Sequence, residues 1–206
     1  MTASASRPYC RSMTSATPSD QAATAATAAL TPEEDRRRRL TEAGAAWVSR
    51  IDARPQAAQM SFTVDGTGFG SVSSDITAGR HRFTVDEPAP LAGDDAAPSP
   101  VEYALGALIG CQVVVYRLYA EALQIPVDDI DIRAVGDLDV RGLFGLDDSV
   151  RAGFQGIHLE VTITGPDTAE RYEQLRQIVN ERCPVHDLFV NPTPVTSAVT
   201  VVPRAV

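Results

Sequence analysis

The chain has 206 residues, 44% of them hydrophobic, and its 27 acidic and 18 basic side chains give a formal net charge of −9. This length fits one domain, with or without a tail, and the apolar content is enough for a core. An acidic balance argues against nucleic acid or an anionic membrane surface as a partner, because both attract basic protein faces.

Cysteine usage indicates the compartment. The chain has three cysteines, Cys10, Cys111 and Cys183, and an odd, low number is unlike the disulfide framework of a small secreted domain. The first residues contain no apolar run of the length that a secretory signal needs. We therefore expect a cytoplasmic protein in a reducing environment.

The N-terminal part of the sequence predicts a tail followed by a helix. Residues 1–30 are mostly Ala, Thr and Ser, which bury too little apolar area to offset the entropy of ordering, so we predict a disordered tail. Thr31 and Glu34 have the spacing of a capping box, which predicts a helix over 31–52. We assign 31–206 to a single domain.

Several strand-like runs follow. AQMSFTVDG, GSVSSDI and GRHRFTVDE predict an antiparallel meander, with Phe83 and Val85 alternating with polar residues and an Asp-Gly turn after the first run. The alternating runs 130–134 and 157–163 predict two more strands. The run VTSAVTVV at 195–202 predicts a final one.

A long apolar helix is predicted between these groups of strands. Ser99 and Glu102 form a second capping box, and the helix extends to about Leu123 with apolar residues nearly all round, which predicts burial. Gly106 and Gly110 lie one turn apart and predict the close approach of another backbone, either of the same chain or of a partner subunit.

The same segment is apolar enough to raise the question of a membrane span. It contains Gln112, Arg117 and Glu121, which are costly in lipid, so we interpret it as a helix buried in protein, with no membrane among the partners.

A further helix is predicted near the C-terminus. Asp167 and Glu170 predict its cap, Cys183 lies on its apolar face, and Pro184 interrupts it. Because strands come in blocks and do not alternate with helices, the predicted fold class is α+β.

The residues alone leave three interpretations of Cys111 and Cys183. Free cysteine is among the most buried residue types, and Cys111 lies in the apolar run LIGCQVVVY, which favours core packing. A permanent structural disulfide fits poorly with a reducing compartment. A redox pair is the third interpretation, because a thiolate can attack an O–O bond and a second thiol can then condense with the sulfenic acid.

Four segments together carry a family resemblance: GRHRFTVDEP, PSPVEYALGALIGC, GDLDVRGLFGL, and ERCPV followed by NPTPV. They resemble the OsmC/Ohr family from about residue 50 to the C-terminus. This resemblance implies an intertwined homodimer in which two long central helices pack against antiparallel β-sheets. It also implies a thiol-dependent peroxidase of the antioxidant stress response that reduces organic hydroperoxides.

In such a peroxidase the resemblance makes Cys111 the peroxidatic thiol and Cys183 the resolving thiol, with an external dithiol as reductant. No cofactor is expected, since this chemistry needs no metal, flavin or nicotinamide. The sequence also contains no CxxC, no HExxH, no P-loop and no GxGxxG after a strand.

The activating residues depart from the family pattern. Family peroxidases use an arginine held by a glutamate directly after the proline that starts the central helix. Here that position is Val101 and the glutamate follows at Glu102, half a turn round the helix from Cys111. Glu102 is therefore a candidate either for a catalytic role or for helix capping alone.

Candidates for the activating arginine are Arg80 and Arg82 before the DEP turn, with Arg54 before the first strand; for each of them taken singly, a surface charge is the favoured interpretation. His186 is a candidate activator of Cys183, although we expect it to be exposed beyond Pro184. The alternative function is a redox sensor or an apolar-ligand-binding protein with little peroxidase turnover, which the displaced glutamate favours.

Overall fold

The structure, a computed structural model of the chain, describes residues 29–203. The predicted tail, including Cys10, lies outside the described residues except for its last two positions. The helices are α1 Pro32–Ala53, α2 Pro100–Ala122, α3 Val140–Leu143, α4 Ala169–Arg182 and α5 Pro184–Val190. The strands are β1 Val64–Phe69, β2 Ser73–Ala78, β3 His81–Val85, β4 Asp129–Asp137 and β5 Gly156–Thr164.

Two antiparallel sheets form, one of β1-β2-β3 and one of β4-β5. This arrangement confirms the α+β class. The predicted Asp-Gly turn is wrong, because Gly66 lies inside β1 opposite Ile76. The chain turns later, at Gly70, whose φ of 57° is readily available only to glycine. A Cβ on Gly66 would come within 3.0 Å of the Ile76 side chain, so the glycine serves strand packing and not turning.

Hydrogen bonds with capping side chains determine the residues at which α1 and α4 begin. The Thr31 box is present, with the Thr31 amide donating to Glu34 over 2.8 Å and the Thr31 hydroxyl accepting from the Glu34 amide. The predicted Asp167 cap is wrong: Thr168 caps α4 by accepting from the Arg171 amide. Asp167 instead accepts from the Thr168 amide and pairs with the Arg171 guanidinium at 3.3 Å.

Helix α2 is buried on one side only, which corrects the prediction of burial all round. Its most apolar stretch has the length and the mean hydropathy, 1.3, of a membrane span, and core helices of soluble proteins can have the same properties. In this chain 22% of that stretch is buried. Val114 is 57% exposed. A Cβ placed on Gly106 or Gly110 would meet nothing within 4 Å. No backbone of the described chain approaches the two glycines.

The C-terminal strand prediction is also wrong for the single chain. Residues 192–203 have no regular structure, and Val195 is 88% exposed. Alternation of β-branched residues makes a strand only where a neighbouring strand offers hydrogen bonds, and the described chain pairs none with this segment. Between β4 and β5 the chain forms the short helix α3.

The core lies where α2, α4 and the β4-β5 sheet meet. Tyr116, Leu175, Val179 and Cys183 are almost fully buried there, and Cys111 packs against them from α2. This packing positions both thiols.

Candidate functional site

The two cysteines meet in the core although 72 positions separate them in the sequence. Cys183 is 1% exposed, Cys111 is half-buried, and both are free thiols. Cys111 packs against the cluster that contains Cys183, and the two side chains are close enough to influence each other's charge. The fold therefore brings together the pair that the sequence singled out.

Pro184 places Cys183 at the junction of two helices. Proline has no amide hydrogen, so it ends one helix and suits the first turn of the next. Cys183 is at once the C-cap of α4, with its amide donating to the Val179 carbonyl over 2.9 Å, and the N-cap of α5. Its sulfur accepts from the His186 amide at 3.5 Å. The interruption predicted at Pro184 is confirmed.

The surroundings of Cys183 favour its protonated form. Burial raises the pKa of the Cys183 thiol, the neighbouring Cys111 side chain raises it further, and the hydrogen bond from the His186 amide opposes them. At neutral pH Cys183 thus keeps its proton next to Cys111.

Glu102 serves as a helix cap. Its Oε2 accepts from the Ser99 hydroxyl at 2.7 Å and from the Ser99 amide at 2.8 Å. The Ser99 hydroxyl and then its amide, by their hydrogen bonds, lower the pKa of the Glu102 carboxyl. The predicted capping box is therefore confirmed, and a catalytic role for Glu102 stays a prediction.

The arginine candidates lie apart from the thiols. Arg80 is in the turn before β3, Arg82 is on β3, and Arg54 caps the end of α1. Within residues 29–203 none of these three guanidinium groups forms a hydrogen bond or an ion pair. Sheet β1-β2-β3 joins α2 through Tyr103, whose hydroxyl donates to the Thr84 carbonyl over 2.8 Å.

That junction is remote from the thiol pair along α2. Tyr103 precedes Cys111 by about 12 Å of helix at ~1.5 Å per residue. The described chain forms no ion pair or hydrogen bond between a guanidinium and Cys111. The activating role predicted for Arg80 or Arg82 stays a prediction.

His186 is half-buried, so the expectation that it would be exposed is wrong. Packing of α5 against α2 and α4 covers it, and its Nδ1 is buried without a hydrogen-bond partner in the described chain. His81, on β3, is exposed.

A cavity of about 650 Å³ lies between α2, α4, α5 and β5. Gln112, next to Cys111, faces it and is fully buried, as is Tyr116, whose pKa burial raises to about 12. Sequence reasoning noted Gln112 only as a polar residue in an apolar helix. Its spacing of four from Leu108 and Tyr116 is the signal that could have marked a polar position on the buried face.

Solved structures share this fold. An OsmC-like protein from Mycoplasma pneumoniae has a TM-score of 0.56 at 18% identity, covering 64% of this chain and 88% of that chain. An organic hydroperoxide resistance protein OsmC from Legionella pneumophila has 0.51 at 20%, covering 64% and 90%. An organic hydroperoxide resistance protein from Elizabethkingia anophelis has 0.50 at 17%, covering 65% and 91%.

A search of curated proteins found no match to the chain. The family model described as OsmC-like protein matches residues 93–198, just over half of the chain, including both thiols of the core. With its α+β fold and antiparallel sheets, this protein belongs to the OsmC-like family.

Proposed function

We propose that the protein is a thiol-dependent peroxidase that reduces organic hydroperoxides. The observation that carries the proposal is the proximity of Cys111 and Cys183, which pack together in the core. Two solved structures with this fold are named organic hydroperoxide resistance proteins, which supports the substrate class.

In the proposed reaction the Cys111 thiolate attacks the terminal oxygen of ROOH. The O–O bond breaks, its terminal OH group stays on Cys111 as the sulfenic acid, and the alkoxide takes up a proton from water, equal to the one Cys111 lost on becoming a thiolate, and leaves as ROH. The Cys183 thiol then attacks the Cys111 sulfur, forming the disulfide and releasing water. An external dithiol reduces this disulfide by exchange and is itself oxidised, which restores both thiols.

The protonated state of Cys183 suits the resolving role in this scheme. A neutral thiol beside Cys111 does not compete as a nucleophile for the peroxide. It loses its proton only after Cys111 has been oxidised, when the hydroxide of the sulfenic acid leaves as water. The pKa of Cys183, raised mainly by burial, therefore supports Cys183 as the resolving thiol and Cys111 as the peroxidatic thiol.

We propose that the protein works as a homodimer in the cytoplasm. The open side of α2 supports this proposal, since Val114, Gly106 and Gly110 meet no neighbour of the described chain that would bury them. The unpaired segment 192–203 and the unpaired Arg80 and Arg82 are further groups that a second subunit would cover or engage.

The test is consumption of cumene hydroperoxide with a dithiol reductant. We expect the wild-type chain to turn over and to form a Cys111–Cys183 disulfide when the reductant is left out, as measured by mass spectrometry of thiol-alkylated protein. Cys111→Ser should lose all turnover. Cys183→Ser should consume about one equivalent of peroxide per chain and stop. A wild-type chain that turns over no hydroperoxide would contradict the proposal.

A redox sensor or an apolar-ligand-binding protein is the second candidate. Val101 supports it, because it leaves the position after Pro100 without a carboxylate. Formation of the disulfide at stoichiometric peroxide, without sustained turnover, would favour the sensor over the enzyme.

A further inference from the structure

The cavity beside α2 contains buried polar atoms without partners. Both side-chain polar atoms of Gln112, the hydroxyl of Tyr116 and Nδ1 of His186 form no hydrogen bond within the described chain. Gln112 and Tyr116 are 0% exposed and line the cavity. Since buried polar groups in proteins are normally hydrogen-bonded, these atoms indicate a molecule that occupies the space.

The permanently charged side chains that line the cavity are both arginines. Arg151, Arg176, His158 and His186 line it, and no Asp or Glu does, although the chain has 27 acidic and 18 basic residues. Arg151 forms no ion pair or hydrogen bond within residues 29–203. An apolar cleft lined by one sign of charge concentrates ligands of the opposite sign, here anions.

The polar atoms and one guanidinium lie on the same side of the cavity. Tyr116 is one helical turn after Gln112 on α2, and it is close enough to Arg176 for the two side chains to interact electrostatically. Arg176 also pairs with Glu173 at 2.6 Å, which holds its side chain in place. Burial raises the pKa of Tyr116 to about 12, even further above neutral pH than its ordinary value, so its hydroxyl is a hydrogen-bond donor there.

Much of the remaining wall is apolar, although Gln155 and Asn180 also line it. A volume of about 650 Å³ falls within the range of small-molecule sites, which is roughly 300–1,000 Å³. The cavity thus offers donors and positive charge for a head group and an apolar surface for a chain. The apolar lining includes Leu108, Phe154, Ile157, Leu159 and Phe189.

We propose that this cavity binds a carboxylate-headed amphiphile, with its head group at Gln112, Tyr116 and Arg176 and its apolar chain along Leu108 and Leu159. The site goes beyond the proposed peroxidase function, because neither thiol lines the cavity and the ligand needs no peroxide group. A neutral amphiphile of the same length brings no negative charge to Arg151 and Arg176 and binds more weakly.

The experiment measures binding of decanoate by calorimetry to the full chain carrying Cys111→Ser. We expect one site per chain, with decan-1-ol at least about tenfold weaker. Tyr116→Phe and Arg176→Gln should each raise the Kd about tenfold, since each removes an interaction with a charged group. Two matched control substitutions should leave the Kd unchanged. They are Tyr103→Phe, at another position on α2, and Arg133→Gln, which removes the ion pair of a side chain on β4.

Gln112→Leu provides a second readout. Without ligand it should raise the melting temperature, because it replaces unsatisfied polar atoms with apolar ones, while decanoate should no longer raise that temperature further. Any one of three results would overturn the proposal: no binding of decanoate, equal affinity for decan-1-ol, or Kd values of the cavity variants equal to those of the control variants. Binding is measured on a chain that lacks the Cys111 thiol. The binding result therefore stands whether or not the peroxidase assay shows turnover.

Discussion

At the scale of single residues, Asp86 shows how one buried carboxylate organises the approach to the thiol helix. It is 1% exposed, and its oxygens accept from the Ser73 hydroxyl at 2.8 Å and from the Asp94 and Ala96 amides at 3.0 Å. These bonds close the loop between β3 and α2. The Ala96 amide and then the Ser73 hydroxyl contribute most to lowering the pKa of Asp86 to about 2.

This lowered pKa predicts acid sensitivity. An unfolded aspartate titrates near ~3.9, so the stabilisation is present above that pH and is lost as the pH falls towards about 2. Asp86→Asn should lower stability at pH 7, because its amide nitrogen faces backbone donors, and should flatten the fall in stability between about pH 4 and pH 2. Urea unfolding at several pH values measures both effects. Asp65→Asn, at an exposed position on β1, is the control, and equal pH profiles for the two variants would contradict this role.

At the scale of elements, the start of α2 matters most, because α2 carries Cys111 and Gln112. Ser99 and Glu102 cap it reciprocally, and the interruption at Pro184 orients Cys183 towards it. The capping box and the proline interruption are both local features, so the sequence predicted them. A capping box spans four residues, and a proline affects only its own helical turn.

The cap predicts a measurable stability effect. Ser99→Ala should destabilise the protein by about 1 kcal/mol, the usual cost of losing an N-cap side chain. Ser99→Thr should recover most of this, since threonine also caps. The midpoint of urea unfolding measures the effect, with Ser71→Ala in the exposed β1-β2 turn as control. An unchanged midpoint in Ser99→Ala would show that the cap contributes little.

At the scale of the whole molecule, the open side of α2 is the main feature of the single chain. Sequence reasoning predicted complete burial, and the structure leaves Val114 and the glycine pair uncovered. A helix this apolar is normally covered, either by its own chain or by a partner. The proposed homodimer is the physical solution that this surface favours.

The dimer predicts a mass of twice 22.0 kDa in light scattering after size exclusion. Val114→Glu should shift the mass towards the monomer, because it places a charge in the proposed interface, while the helical content stays unchanged in circular dichroism. Leu30→Glu, at an equally exposed position before α1, should keep the dimer. A monomeric wild-type chain would contradict the homodimer.

The sequence by itself determined the local features of this protein. The α+β class, the capped starts of α1 and α2, the existence of strands β4 and β5 and the break at Pro184 all follow from hydrogen bonds and periodicities that span a few residues. The family resemblance added the two thiols as a pair. Errors occurred where a pattern needed a distant partner, as in the strand predicted at 195–202.

The tertiary structure alone decided what depends on contacts between distant segments. The meeting of Cys111 with Cys183, the burial of His186, the hydrogen bonds that hold Asp86 and the cavity behind Gln112 join residues from different elements. The physical reason is that packing is set by the shapes of whole elements against each other, whereas a residue's own sequence neighbours specify only the element to which it belongs.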